Sequence, residues 1–229
     1  MNTTAEIIDF KNMQAIIFDM DGVLINSEPL WKQVEIDVFA SVGIDFVAVG
    51  GEKTVGLRID EVVSYWYNRY PWKNKTQQQV VDEIMDKMVA AIQSKGQPMK
   101  GVHELLTFLR EKGVRIALAS SSLQRLIEIT LDKLQISDYF ELVQSAEFME
   151  YGKPHPEIYI SVAKQLGISP ENCLVIEDSL NGVIAGKAAK MNVIAVPEHT
   201  HAPNPKISVA DVVISDLFLL EKMIQKSLL

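Results

Sequence analysis

Two aspartates, Asp19 and Asp21, follow a short apolar run over residues 15–18 and are separated by a single residue. The run predicts a buried strand that ends at the aspartates. Because side chains alternate along an extended backbone, both carboxylates should point the same way, beyond the carboxyl end of the strand. Open parallel sheets bind their ligands at that end. Asp-x-Asp-Gly is also ordinary turn chemistry, so the motif alone leaves both interpretations open.

Three later groups of polar residues suit the same anionic ligand: Ser120 with Ser121, Lys153, and Glu177 with Asp178. The serines follow a predicted strand over residues 115–119, and the acidic pair follows another over residues 173–176. Lys153 lies in Gly-Lys-Pro-His-Pro, where two prolines restrict the loop. Since parallel strands end at one edge of their sheet, the pattern predicts one site containing carboxylates, hydroxyls and an ammonium group.

Convergence of four carboxylates requires a cation. Each like-charge pair about 4 Å apart costs about 4 kcal/mol at an effective dielectric near 20. The candidate ligands are all oxygens and no Cys/His cluster accompanies them, which favours Mg²⁺ over Zn²⁺. His199 and His201 also have chelating spacing, but they lie in a proline-rich stretch. A solvated loop is the favoured interpretation of that pair.

In their order and spacing, these residues resemble the four motifs of the haloacid dehalogenase-like (HAD) hydrolases, and the resemblance covers nearly the whole chain. More narrowly, segments 27–31, 56–67 and 71–72 are similar to the bacterial hexitol phosphatases, which act on sugar phosphates such as 2-deoxyglucose 6-phosphate. Asn26 departs from this subgroup, which usually carries Asp at the expected hinge of a helical cap. The resemblance implies an Mg²⁺-dependent sugar phosphatase.

The same resemblance implies a covalent route with two carboxylates in different roles. Asp19 would attack phosphorus and form an aspartyl-phosphate. Asp21 would protonate the departing sugar oxygen and then deprotonate the hydrolytic water. Mg²⁺ would be held by Asp19, the Asp21 carbonyl and Asp178, with Glu177 binding directly or through water.

Phosphate binding is the implied role of the remaining motif residues. Ser120 and backbone N–H groups, including that of Ser121, would hold phosphate oxygens, and Lys153 would neutralise charge on the phosphate and on Asp19. Ser120 could also cap the next helix, alone or in addition. Lys153, taken in isolation, would more often be a solvated surface lysine.

Two other functions stay open beside the phosphatase. The β-phosphoglucomutases share the motifs and the cap type but carry a His ten residues beyond the second aspartate, where this chain has Trp31. Since an indole cannot relay a proton, hydrolysis is favoured over mutase chemistry. A non-catalytic phosphate-binding module is disfavoured by the intact motifs. On the cap, Arg58 is the candidate for contacting sugar hydroxyls or phosphate on closure.

Hydrophobic periodicity predicts the helices and strands that carry these residues. From residue 101 onward, helical patterns alternate with continuous Val/Ile/Leu strands, which predicts an α/β fold with a Rossmann-like parallel sheet covered by helices on both faces. Residues 27–94 show helical patterns and no central strand. The predicted organisation is therefore a core domain of residues 1–25 and 97–229, with an all-helical cap of residues 26–96 inserted after the first catalytic loop.

Composition limits the remaining classes of function. The chain of 229 residues is 48% hydrophobic, enough for one α/β core and a small accessory domain. A net charge of −8 disfavours nucleic-acid or membrane-surface partners. The amino terminus lacks the features of a secretion signal, and a lone cysteine, Cys173, fits a reducing compartment. A cytoplasmic monomer that acts on a small phosphorylated sugar is expected.

Overall fold

A six-stranded parallel sheet organises the chain, and its strand order is β3-β2-β1-β4-β5-β6. The computed structural model describes residues 8–197 and 205–227. The strands are β1 Ala15–Phe18, β2 Arg115–Ser120, β3 Leu142–Ser145, β4 Cys173–Glu177, β5 Asn192–Ala195 and β6 Val212–Val213. Every neighbouring pair is parallel. The predicted parallel α/β fold is confirmed.

Helices connect the strands and follow the predicted periodicity to within about two residues at most ends. The helices are α1 Glu28–Ser41, α2 Ile59–Arg69, α3 Gln77–Lys95, α4 Val102–Glu111, α5 Gln124–Leu134, α6 Glu157–Leu166, α7 Leu180–Ala188 and α8 Leu217–Ser227. In the described part of the chain, no helix combines the length and apolar character needed to cross a membrane.

Helices cover both faces of the sheet, as the apolar strands require. Alternate side chains of β1 enter different cores. Ile16 and Phe18 join one hydrophobic cluster, which also contains residues of α4, α5 and α8. Ala15 and Ile17 join the other, with residues of α6 and α7. This central position of β1 brings its carboxyl end between β2 and β4, so three polar strand ends meet there.

The segment 26–96, called the cap below, contributes α1, α2 and α3 and no strand to the sheet. Helix α3 contacts both α1 and α2. Thr76 is the N-cap residue of α3 and forms a capping box, since its side chain accepts from the Gln79 backbone N–H while the Gln79 side chain accepts from Thr76 N–H. The proposed boundaries of separate core and cap domains stay a prediction.

Candidate active site

The turn after β1 brings Asp19 and Asp21 to the carboxyl edge of the sheet. Leu24 N–H donates to the Met20 carbonyl at 2.8 Å, and Gly22 N–H donates to the Ile25 carbonyl at 3.0 Å. Gly22 has a φ of +71°, and a Cβ there would lie 2.1 Å from an Asp178 carboxylate oxygen. Glycine is therefore required both by the left-handed backbone and by the close approach of the β4 loop.

Lys153 is buried among carboxylates at the centre of the site. Its Nζ lies 2.7 Å from Asp19 Oδ1 and 2.7 Å from Glu177 Oε1, and it donates to the Ala119 carbonyl at 3.1 Å. Burial alone would lower the pKa of Lys153, but Asp19 and Glu177 together raise it well above its ordinary value. The side chain thus stays an ammonium group, because three acceptors replace the water it has lost.

Glu177 is fully buried, and both of its carboxylate oxygens are occupied by hydrogen bonds. Besides Lys153, the Tyr159 hydroxyl donates to Oε1 at 2.8 Å. Oε2 accepts from the N–H groups of Asp178 and Ser179 at 3.0 and 3.1 Å, and from the Ser179 hydroxyl at 3.1 Å. A Cβ on Gly182 would lie 1.6 Å from Oε1. Glu177 therefore orders both Lys153 and the loop that carries Asp178.

Three donors surround the Asp21 carboxylate. Oδ1 accepts from the Ser27 hydroxyl at 2.6 Å and from the Trp31 indole at 2.9 Å, and Oδ2 accepts from the Ser122 hydroxyl at 2.7 Å. Ser27 and Trp31 belong to the start of the cap, whereas Ser122 follows β2. The orientation of Asp21 therefore depends on both parts of the molecule.

The serines at the carboxyl end of β2 make different contacts. Ser120 is buried, and its Oγ accepts from the Ser122 N–H at 3.0 Å. Ser121 Oγ donates to the Gly56 carbonyl of the cap at 3.1 Å. Leu123, not Ser120, occupies the N-cap position of α5. The serine run forms a local turn at the site rather than a helix cap.

A group of carboxylates beside Lys153 has the spacing of a metal site. Ligand oxygens of Asp19, Glu177 and Asp178 lie within 4.8 Å of one another. Burial raises the pKa of Asp19 to about 7, with Lys153 opposing and Glu177 adding to the shift. Burial, Glu177 and Asp19 likewise raise the pKa of Asp178 well above its ordinary value. A bound cation would relieve this repulsion, so the donor set fits a metal ion.

The cap encloses a cavity of about 90 Å³ over the strand ends. The lining combines core motif residues with one face of α1: Asp19, Asp21, Ser120, Ser121, Lys153 and Asp178 from the core, and Glu28, Trp31 and Glu35 from the cap. The structure thus brings six of the predicted site residues to one cavity, with Glu177 buried beside Lys153. His199 and His201 lie outside the described residues.

Arg58 lies elsewhere in this arrangement and is absent from the described lining of the cavity. Its Nη1 donates to the carbonyls of Met149 and Ala146 at 2.9 and 3.3 Å, which joins the cap to the core. Nη2 also lies 3.2 Å from Asp60 Oδ2. A substrate contact by Arg58 stays a prediction and would need a different position of this side chain.

Sequence reasoning did not single out Tyr159, Ser122 or Glu35. Tyr159 is one apolar-face position of α6, and nothing in its periodicity marks its hydroxyl as a partner of Glu177. Ser122 belongs to the Ser-Ser-Ser run, which was a detectable signal for a third hydroxyl at the strand end. Glu35 follows Glu28 by seven residues, a spacing that places both on one helix face.

Comparison with known proteins agrees with this geometry. The model of a hydrolase family, the haloacid dehalogenase-like hydrolases, matches residues 13–190. Hexitol phosphatase B of Escherichia coli K12 is 41% identical over 209 residues, 90% of this chain and 94% of that protein. A phosphorylated carbohydrates phosphatase of Thermotoga maritima is 34% identical over 180 residues, 77% of this chain and 82% of that protein.

A solved structure extends the likeness to the fold. The crystal structure of β-phosphoglucomutase from Clostridium difficile has a TM-score of 0.78 and 24% identity, over 94% of this chain and 99% of that one. Identity at this level concerns the fold alone. With the family match, the relatives and the site geometry in agreement, the chain belongs to the haloacid dehalogenase-like hydrolases and is a phosphatase.

Proposed function

We propose that the protein hydrolyses small sugar phosphates, namely hexose 6-phosphates, 2-deoxyglucose 6-phosphate or hexitol phosphates, by way of an aspartyl-phosphate on Asp19. The main support for this proposal is the position of Asp19. Its carboxylate lies 2.7 Å from the Lys153 ammonium group and lines the cavity together with Asp21. The similarity to two phosphatases named for hexitols and phosphorylated carbohydrates supports a sugar substrate. A cytoplasmic location and a monomeric state stay predictions.

Asp19 is the proposed nucleophile, and Lys153 is its proposed electrostatic partner. An Asp19 carboxylate oxygen would attack phosphorus while the bond from phosphorus to the sugar oxygen breaks. Lys153 would lower the repulsion between the carboxylate and the anionic phosphate. The Ser120 hydroxyl and the backbone N–H groups of Met20, Asp21 and Ser121 are the proposed donors to the other phosphate oxygens.

Asp21 is the proposed general acid and base. It would protonate the departing sugar oxygen, then take a proton from the water that attacks the aspartyl-phosphate, so that phosphate leaves and Asp19 is regenerated. Its surroundings can satisfy both protonation states. Trp31 can only donate, but the hydroxyls of Ser27 and Ser122 can donate to the carboxylate or accept from the acid.

Mg²⁺ is the proposed cofactor, held by Asp19, Asp178 and the Asp21 carbonyl. All these donors are oxygens, which a hard divalent cation prefers. When bound, Mg²⁺ would offset negative charge on the phosphate and on the carboxylates. Glu177 was predicted as a direct or water-mediated ligand. Its five hydrogen bonds favour the indirect role, in which it orders Lys153 and the Asp178 loop.

The experiment is Mg²⁺-dependent phosphate release from p-nitrophenyl phosphate and from a panel of sugar monophosphates. The wild-type protein should release phosphate with Mg²⁺ and lose activity with EDTA. Asp19→Asn should abolish turnover while its circular dichroism stays that of the wild type. Substantial activity in this folded variant would falsify nucleophilic catalysis by Asp19. Conversion of a sugar phosphate to its isomer without phosphate release would instead identify a mutase.

A further inference from the structure

The two oxygens of the Asp21 carboxylate are held to different extents. A carboxylate offers about four lone-pair positions, two on each oxygen. The Ser27 hydroxyl and the Trp31 indole N–H occupy the positions of Oδ1, at 2.6 and 2.9 Å. The Ser122 hydroxyl occupies one position of Oδ2, at 2.7 Å. The described residues make no further hydrogen bond to this carboxylate, so the remaining acceptor position belongs to Oδ2.

The partners of the two oxygens also differ in where they lie. Ser27, which donates to Oδ1, is fully buried and is not part of the described cavity lining. Ser122, which donates to Oδ2, lines the cavity beside Asp21. Oδ2 is therefore the oxygen whose remaining position is available to an oxygen atom of a substrate.

Trp31 differs from the two serines in its chemistry. A hydroxyl group can rotate and become an acceptor, but an indole N–H can only donate. Because the Trp31 bond cannot reverse, a proton on Oδ1 would have to replace the Ser27 bond and point at Ser27, away from the cavity lining. Trp31 thus keeps Oδ1 an acceptor and leaves Oδ2 to exchange the proton.

We propose that Trp31 is a positioning residue for Asp21, and that Oδ2 is the oxygen through which Asp21 gives and takes a proton. In the first step, the proton on Oδ2 moves to the sugar oxygen as its bond to phosphorus breaks, and the electron pair of the O–H bond stays on Asp21. In the second step, Oδ2 takes a proton from the water that attacks the aspartyl-phosphate, which restores the acid. This inference rests on the proposed function and adds the residue that orients its general acid.

Loss of the Trp31 N–H should have an effect that depends on the leaving group. Without it, Oδ1 gains a second free position, and part of the Asp21 population carries its proton away from the departing oxygen. An alkoxide needs that proton in order to leave, whereas p-nitrophenolate is a stable anion and needs it little. The value of kcat/KM includes the steps up to release of the alcohol, so it isolates this first proton transfer.

The test compares kcat/KM for p-nitrophenyl phosphate, for benzyl phosphate, which has a ring but a poor leaving group, and for the best sugar phosphate of a panel. Trp31→Phe should lower kcat/KM for the benzyl and sugar esters by about 10- to 100-fold, the range expected for a lost hydrogen bond to a charged group. For p-nitrophenyl phosphate, the change should stay below about threefold. Trp31→Gln restores an N–H at the same number of bonds from Cα, so it should be at least about fivefold faster than Trp31→Phe on the benzyl and sugar esters.

Trp66→Phe is the matched control, since it removes another indole N–H of the cap, one that donates to Thr54 Oγ1 at 3.3 Å. It should leave the ratios of kcat/KM among the three esters unchanged. Equal losses on all three esters in Trp31→Phe, or a Trp31→Gln variant as slow as Trp31→Phe, would overturn the inference alone. A loss on the sugar ester without one on benzyl phosphate would also overturn it, because it would show that the ring contacts the sugar. Absence of phosphate release from every ester by the wild type would overturn the proposed function and the inference together.

Discussion

The core and the cap contribute opposite kinds of surface to one cavity. On the core side, Lys153 and Glu177 are almost completely buried and satisfied, with Lys153 making three contacts and Glu177 five hydrogen bonds. On the cap side, Glu35 lines the same cavity and has no hydrogen-bond or ion-pair partner among the described residues. The core side is thus held in place by contacts within the protein, whereas no such contacts fix the Glu35 carboxyl group.

Under the proposed function, this contrast would assign the reaction to the core residues and the choice of substrate to the cap residues. Preorganised groups that meet the reacting phosphate lower the barrier for every ester. Groups that meet the rest of the substrate decide which ester binds well.

Lys153→Met should abolish activity and destabilise the fold. Removing the ammonium group leaves Asp19 and Glu177 as buried, uncompensated carboxylates, which is expected to cost about 3–5 kcal/mol of unfolding free energy. Urea unfolding measures the loss. The double variant Lys153→Met/Glu177→Gln should recover part of that stability without recovering activity. An unchanged urea midpoint in Lys153→Met would show that the buried ion pair is not what organises the core side.

Asp21→Asn should lower kcat by on the order of 10²–10⁴-fold, the usual contribution of a general acid or base. The amide cannot carry the proton, yet it can keep hydrogen bonds to Ser27 and Ser122, so the urea midpoint should change little. A kcat within threefold of the wild type, taken as roughly the limit of a structural effect, would remove Asp21 from the chemistry. Esters with better leaving groups should be less affected, because their oxygen needs less protonation.

Arg58→Ala should lower kcat/KM roughly tenfold, since one charge-assisted hydrogen bond between cap and core contributes about 1.5 kcal/mol or more. If Arg58 holds the cap against the core through Met149 and Ala146, kcat/KM should fall by the same factor for sugar phosphates and for p-nitrophenyl phosphate. A loss confined to sugar phosphates would instead support the predicted substrate contact. Arg69→Ala, at the exposed end of the same helix, is the control and should be neutral.

Glu35→Gln should change how stability depends on pH. With the pKa of Glu35 raised from 4.5 to about 8 by burial and by the neighbouring Glu28, the folded protein holds a proton there that the unfolded chain has released between those values. The free energy of unfolding contributed by Glu35 is therefore present below pH 4.5 and is lost as the pH rises toward 8. In urea unfolding with saturating Mg²⁺, the free energy of unfolding of the variant should rise relative to that of the wild type as the pH increases from 4.5 to 8. If the difference in unfolding free energy between the variant and the wild type does not change with pH, the Glu35 carboxyl group is solvated and its pKa is not raised.

The order of elements and most of the core side were predictable because they depend on local periodicity and on chain direction. Continuous apolar strands such as 173–176 predict parallel pairing, and parallel pairing brings the residues after Phe18, Ala119 and Ile176 to one edge. The approach of Lys153 to Asp19 needed more than this pattern, since the residues are far apart in sequence. For that pair, the motif resemblance supplied the expectation.

The cap side was less predictable because helical spacing defines a face but not the direction in which that face points. Periodicity indicated α1 correctly, yet nothing local distinguished Glu35, which borders the cavity, from Asp37, which is exposed. Arg58 was expected at the substrate, but its contacts with Met149 and Ala146 depend on a core loop about 90 residues away.

Periodicities of two and 3.6 residues, together with motif spacing, were enough to predict the parallel α/β core, the helical segment after β1 and the residue types at the strand ends. Three features could be seen only in the folded protein: the hydrogen bonds of Tyr159 and Ser179 to Glu177, those of Trp31 and Ser122 to Asp21, and the position of Glu35 beside the cavity. Such contacts depend on rotamers and on how cap and core pack together, and neither is encoded within a single element.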